Sequence, residues 1–235
     1  MMIDNKAVND LKSSLTTPRM KTQKESLAQE VYEILLNMLT NREILPGTVL
    51  NRREVAKNLG VSVAPVLEAF IRLELEGFVV SLPRKGTIVS PFGLRDVFDN
   101  LIFREALECQ AARMYCGEPV KRNLERLLPL AVNIDSTFVT SWENWQMEYE
   151  FHGKLIALAG CQSLTNEFSH MLKLGMFYEI YNLFSNGEYN NQFINLHQDL
   201  LMKLTNPDPD KAEAAMRCHL STTRDSIEQK LMRSE

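Results

Sequence analysis

The apolar positions of this chain fall into three regimes. Between Gln23 and Asn41, Leu27, Val31, Ile34, Leu35 and Met38 recur at helical spacing, which predicts one amphipathic helix. Residues 46–90 alternate short helical runs with short β-rich ones, and the chain after Gly93 returns to helical periodicity. In the middle regime, Pro46-Gly47 is a turn dipeptide and Asn51 an N-cap for a helix over Arg52–Leu59. Gly60 is the residue able to turn with positive φ. Ser62 caps a second helix with Pro65 in its first turn, where a missing N–H costs little. Val66, Ala69, Phe70 and Leu73 give that helix one packing face and leave the other outward. The runs Phe78–Leu82 and Thr87–Ser90 flank Pro83-Arg84-Lys85-Gly86, a hairpin with a basic tip. Two helices joined by so tight a turn and followed by a hairpin form a winged helix-turn-helix. Its second helix enters a DNA major groove, and its wing tip reaches backbone phosphates.

The stretch PGTVLNRREVAKNLGVSVAPVLEAFIRLELEGFV resembles the N-terminal domain of the GntR family of bacterial transcription regulators, with its pattern PGxxLxxxExAxxLGVSxxPVxEAxxxLExEGxV. The resemblance implies that Ser62, Val63, Ala64 and Leu67 face bases. It places Arg52, Arg53, Lys57, Arg84 and Lys85 near phosphates, Arg53 at a position that contacts DNA in the family. Arg72 is read as a solvated surface charge. The chain departs from the family at the reading positions. Arginine is usual where Val63 and Leu67 stand, and threonine where Ala64 stands. Arginine is the strongest bidentate reader of guanine edges, so an unusual operator or weaker discrimination is expected. Apolar residues at these positions can instead meet thymine methyl groups.

Charge changes this picture little. Of the 26 Lys/Arg and 30 Asp/Glu, residues 1–92 hold 12 and 10, leaving 14 and 20 for the remainder. The asymmetry favours an N-terminal half facing phosphates. No stretch reaches about 18 uninterrupted apolar residues, and the N-terminus lacks the apolar core of a signal peptide, so a cytoplasmic protein without membrane contact is expected. The four cysteines show no CxxC spacing and are expected to be buried reduced thiols.

Residues 1–22 read as a disordered or loosely ordered polar lead-in, 23–90 as the winged helix-turn-helix, 91–93 as a linker and 94–232 as an all-helical domain. Helices are predicted over Leu94–Cys116, Pro119–Phe138 with a bend at Pro129, and Trp142–Ala159 capped by Ser141. Further helices are expected over Ser163–Phe184, Gln192–Thr205 and Asp210–Leu231, with Trp142 and Trp145 as core anchors. The fold class is therefore mostly α, a winged head followed by an antiparallel bundle of six or seven helices.

The bundle holds the candidate chemistry. Glu148 and His152 lie four apart and share one helical face. His197 stands nine residues before Asn206 and His219 ten after Pro209, so a hairpin of the last two helices brings both to one depth. Three imidazoles and a carboxylate form a mixed N/O set suited to zinc, nickel, manganese or iron(II). Isolated histidines in these places also serve as packing or surface residues, and spacing leaves that reading open. His170 belongs to it.

The bundle also resembles the metal-containing branch of the FadR subfamily within GntR, which carries an FCD-type effector domain. The branch has an acid four before the His of a Phe-His pair, a His in the penultimate helix and a His-Leu in the last. The matching residues are Glu148, Phe151-His152, His197 and His219-Leu220. Its Arg-x-x-x-Glu and Ala-Ala opening appears as Arg104 to Glu108 and Ala111-Ala112. The acid is usually Asp, and Leu196 stands where Glu is usual. The resemblance implies a divalent transition metal, a small organic or sugar acid as effector, a homodimer and a two-fold operator. Arg104 then either clamps the effector carboxylate or forms a surface salt bridge with Glu108. Two other readings stand beside this regulator. One is a degenerate family member with a structural metal acting through protein contacts. The other is a metal-dependent hydrolase, for which the chain offers no nucleophile motif.

Overall fold

The computed structural model describes residues 26–84, 86–137, 142–185 and 197–233. The N-terminal lead-in, Lys85, Ser141 and Leu196 lie outside them, as do the side chains of Trp142 and Trp145. The chain splits into two compact units between Phe92 and Gly93.

In the first unit, α1 covers Leu27–Thr40 and starts at Ser26, whose hydroxyl accepts from the Gln29 amide at 3.2 Å. Val31, Ile34, Leu35 and Met38 are buried, whereas Leu27 is 47% exposed and falls outside the packing stripe. The strand β1, Val49–Leu50, leads into α2, Arg52–Leu59. Asn51 caps α2 by accepting from the Arg53 and Glu54 amides at 2.9 and 3.4 Å, which satisfies two otherwise unpaired donors. Gly60 closes it at φ +69°. The next helix, α3, runs Val63–Leu75 and buries Val66, Ala69, Phe70 and Leu73. Ser62 stands at its N-cap position, but its side chain makes no capping bond. The wing strands β2, Val79–Leu82, and β3, Gly86–Val89, pair antiparallel with Val80 opposite Ile88, and β1 adds to the free side of β3.

Arg72 is a partly exposed charge with three partners. Its guanidinium stacks 3.6 Å over the Tyr32 ring, donates to Gln29 at 2.5 Å and pairs with Glu76 at 3.1 Å. It therefore ties α1 to α3.

The second unit contains seven helices among the described residues: α4, Leu94–Tyr115; α5, Glu118–Arg122; α6, Leu124–Ser136; α7, Trp142–Ala157; α8, Gln162–Ser185; α9, His197–Leu204; and α10, Pro209–Met232. The expected single helix over 119–138 breaks at Asn123. Asn123 leaves helical geometry at φ −109°, ψ 5°, and its side-chain amide donates to the Pro119 carbonyl at 2.9 Å. Such a side-chain bond competes with helix continuation, while Pro129 is accommodated inside α6. The long α4 packs chiefly on α10 and α8, and α6 packs on α9 and α7. Tyr115, Phe151, Leu155, Phe168, Leu201 and Met216 fill the core between them. All four cysteines are free, but only Cys109 is buried and Cys218 is exposed.

Gly117 joins α4 to α5 at φ +80°, and its amide donates to the Leu204 carbonyl at 2.9 Å. A Cβ there would stand 3.0 Å from the Pro207 Cα, a backbone atom that cannot step aside. Gly117→Ala is therefore expected to cost about 2 kcal/mol, combining a positive-φ penalty with the clash. A urea midpoint equal to wild type contradicts this.

Candidate metal centre and DNA-reading face

The packing of α7 draws His152 inward. Phe151, Leu155 and Ile156 are buried in the core, and the same turn carries His152 to full burial. Met216 and Leu220 do the same for α10, which presents His219 between them in sequence. His197 is buried where α9 begins. The three rings converge, with centroids 5.7 Å apart for His152–His197, 5.3 Å for His152–His219 and 4.6 Å for His197–His219. One nitrogen of each lies within 4.8 Å of the others. Phe151 packs edge-on against both His152 and His197 at 5.3 Å, which limits their tilt.

Glu148 lies beside two of the rings. Its Oε2 lies 3.1 Å from His197 Nε2 and 3.6 Å from His152 Nε2. Donors held about 2.1 Å from one ion stand roughly 3.0–3.5 Å from their neighbours, so these separations suit a shared cation. Burial opposes ionisation of Glu148, yet the His152 and His197 imidazoles hold its carboxyl well below the usual range. Burial likewise keeps His219 well below an ordinary imidazole pKa, with His152 and His197 adding to the effect, so it offers a neutral nitrogen.

Two further carboxylates orient the rings, and sequence reasoning did not find them in this role. Glu108, on α4, places Oε2 2.6 Å from His152 Nδ1. Burial raises its pKa, but the charges of His152 and Arg104 outweigh that and bring it to about 2. Asp135, on α6, places Oδ1 3.0 Å from His197 Nδ1 and accepts the His197 amide at 2.8 Å. Its Oδ2 accepts from the Gln198 amide and side chain, both at 3.0 Å. With Nδ1 of His152 and of His197 engaged by a carboxylate, their Nε2 atoms are left for the centre, the arrangement that raises the basicity of a metal-ligating histidine. His152 Nε2 is buried and has no hydrogen-bond partner. A buried unsatisfied nitrogen costs about 1–3 kcal/mol, and an ion between the four side chains would remove that cost. The donor set therefore fits a divalent transition metal.

Arg104 donates from Nε to Glu108 Oε1 at 2.7 Å. Its pairing with Glu108 is thus real, but it is largely buried and not a surface bridge. His170 is exposed and stands apart from the cluster.

In the winged unit, Arg53 and Lys57 on α2 and Arg84 at the wing tip are exposed. Arg52 is half-buried, reaching the Thr87 hydroxyl at 3.4 Å and lying over the Phe70 ring. Ser62, Val63, Ala64 and Leu67 are exposed on the outward side of α3, opposite its buried face.

Residues 27–89 match the family described as bacterial regulatory proteins, gntR family, and residues 100–222, just over half the chain, match the FCD domain. This chain belongs to the GntR family and carries an FCD domain. Its similarity to known members runs nearly end to end. It is 28% identical over 210 residues to the HTH-type transcriptional repressor RspR of Escherichia coli K12, covering 86% of this chain and 89% of that protein. It is 26% identical over 207 residues to a regulator from an unstable DNA locus of Streptomyces ambofaciens, covering 85% and 84%. A solved GntR regulator from Rhodococcus sp. RHA1 superposes with a TM-score of 0.68 at 17% identity, covering 86% of this chain and 97% of that one. E. coli McbR/YncC does so at 0.68 and 19%, covering 88% and 100%. This GntR protein is a DNA-binding transcription regulator and not an enzyme. Among its described residues no helix is long and apolar enough to cross a membrane.

Proposed function

We propose that the FCD domain holds one divalent transition metal through Glu148, His152, His197 and His219. The observation that carries this is the buried, unpartnered Nε2 of His152 facing two further imidazoles and a carboxylate. Zinc and nickel suit three nitrogens and one oxygen best, with manganese and iron(II) next. When bound, the ion supplies a positive centre to which a carboxylate can add. Arg104 reinforces it, being linked through Glu108 to the His152 ring. The ligand class is a small organic or sugar acid.

The regulator acts as a homodimer whose two heads, each using Arg52, Arg53, Lys57, Ser62, Val63, Ala64, Leu67, Arg84 and Lys85, meet a two-fold operator. The effector changes operator affinity only if it binds one arrangement of the heads more tightly than the other. The test is a thermal-shift series on metal-loaded protein against mono-, di- and sugar carboxylates, with Arg104→Ala alongside. A carboxylate that raises Tm only in metal-loaded wild type, and less in the variant, supports the proposal. Stabilisation that is the same without metal overturns the effector role and leaves the ion a purely structural one.

A further inference from the structure

The outward face of α3 has no hydrogen-bonding side chain along its central row. Val63, Leu67, Ile71 and Leu75 follow one another at four-residue spacing, and all are solvent-exposed, at 44%, 37%, 49% and 79%. Positions four apart are neighbours on a helix surface, so the row is continuous. The adjoining row contributes Ala64 and one acid, Glu68. The other acid on this helix, Glu74, is drawn off toward the wing by accepting from the Ser81 amide and hydroxyl at 2.7 and 2.9 Å. The same unit carries exposed cations, Arg53 and Lys57 on α2 and Arg84 at the wing tip. An apolar ridge on a unit that also exposes these cations suits a polyanion with apolar groups on its edge better than it suits another apolar protein face.

Major-groove base edges present donors, acceptors and one aliphatic group, the C5 methyl of thymine. Aliphatic side chains cannot distinguish donors from acceptors, but they can bury that methyl. In a helix-turn-helix the N-terminal residues of the second helix approach the bases most closely, and here those residues are Val63, Ala64 and Leu67. We infer that this regulator recognises its operator by packing Val63 and Leu67 against thymine methyl groups, with the exposed cations of the same unit holding the backbone. The inference rests on α3 being the DNA-reading helix, and its test separates the two.

The experiment uses the full-length protein and random-sequence duplexes at fixed salt. Enriched half-sites should carry thymine at the positions facing α3. Replacing those thymines by uracil removes only the methyl groups and should weaken binding about fourfold for each methyl buried. Val63→Ala and Leu67→Ala sit on exposed helical positions that alanine tolerates, so both variants fold. Each should shrink the thymine-over-uracil ratio to below about twofold. An enriched operator that binds equally well with uracil overturns the methyl reading while leaving DNA recognition by α3 intact. Absence of any enriched sequence removes both, and makes the row a protein-docking face.

Discussion

Replacing His197 and His219 together by alanine is expected to abolish the stabilisation that zinc or nickel confers on the FCD domain. In wild type, free metal a thousandfold above its dissociation constant stabilises the folded state by about 4 kcal/mol. The double variant leaves one imidazole and Glu148, too few donors to hold an ion against water. Both tryptophans of the chain, Trp142 and Trp145, lie on α7, so tryptophan fluorescence reports this domain without interference from the winged head. The expected result is a large metal-dependent shift of the urea midpoint in wild type and none in the variant. Equal shifts in both would move the metal site elsewhere.

Glu108→Ala should be the most damaging single change in the metal-free protein. Its carboxylate is fully buried between Arg104 at 2.7 Å and His152 at 2.6 Å. Deleting one partner of a buried ionic group leaves the others uncompensated, at a cost of about 3–5 kcal/mol. Glu108→Gln keeps an acceptor oxygen and should lose less stability. Even so, the amide binds the imidazole more weakly than a carboxylate, so metal affinity should fall about 10–100-fold. The same fluorescence-detected unfolding checks the first effect, and metal titration of the glutamine variant checks the second. Stability within about 1 kcal/mol of wild type for the alanine variant would show that the triad does not hold the domain together.

The elements that form from local chemistry were legible in the sequence. Asn51 and Gly60 delimit α2 in the structure because cap and αL preferences act within a few residues. The buried face of α3 follows from its apolar spacing alone. Asn123 shows the limit of that reasoning: Pro129 is the stronger helix breaker by propensity, yet one side-chain bond to Pro119 sets the break elsewhere. At the site, the level match of His197 and His219 was readable from their distances to a shared turn, and their rings are 4.6 Å apart. The carboxylates behind the histidines were not, because Glu108 and Asp135 lie 44 and 62 residues from the rings they orient. A signal existed for the first. Glu105 and Glu108 interrupt the buried stripe of Val97, Leu101, Ala112 and Tyr115 on α4, and a carboxylate on such a stripe needs a buried partner. Glu105 finds its partners in Arg217 and Arg224 of α10, and Glu108 finds His152.

The His197→Ala/His219→Ala comparison and the effector series both depend on one fact, whether the cluster carries an ion. Elemental analysis of the full-length protein, dialysed against zinc or nickel and then freed of excess, tests it directly. A stoichiometric transition metal should remain on wild type and be missing from the His197→Ala/His219→Ala variant. Metal-free wild-type protein after the same treatment would contradict this and leave the three histidines as a packed core of the bundle.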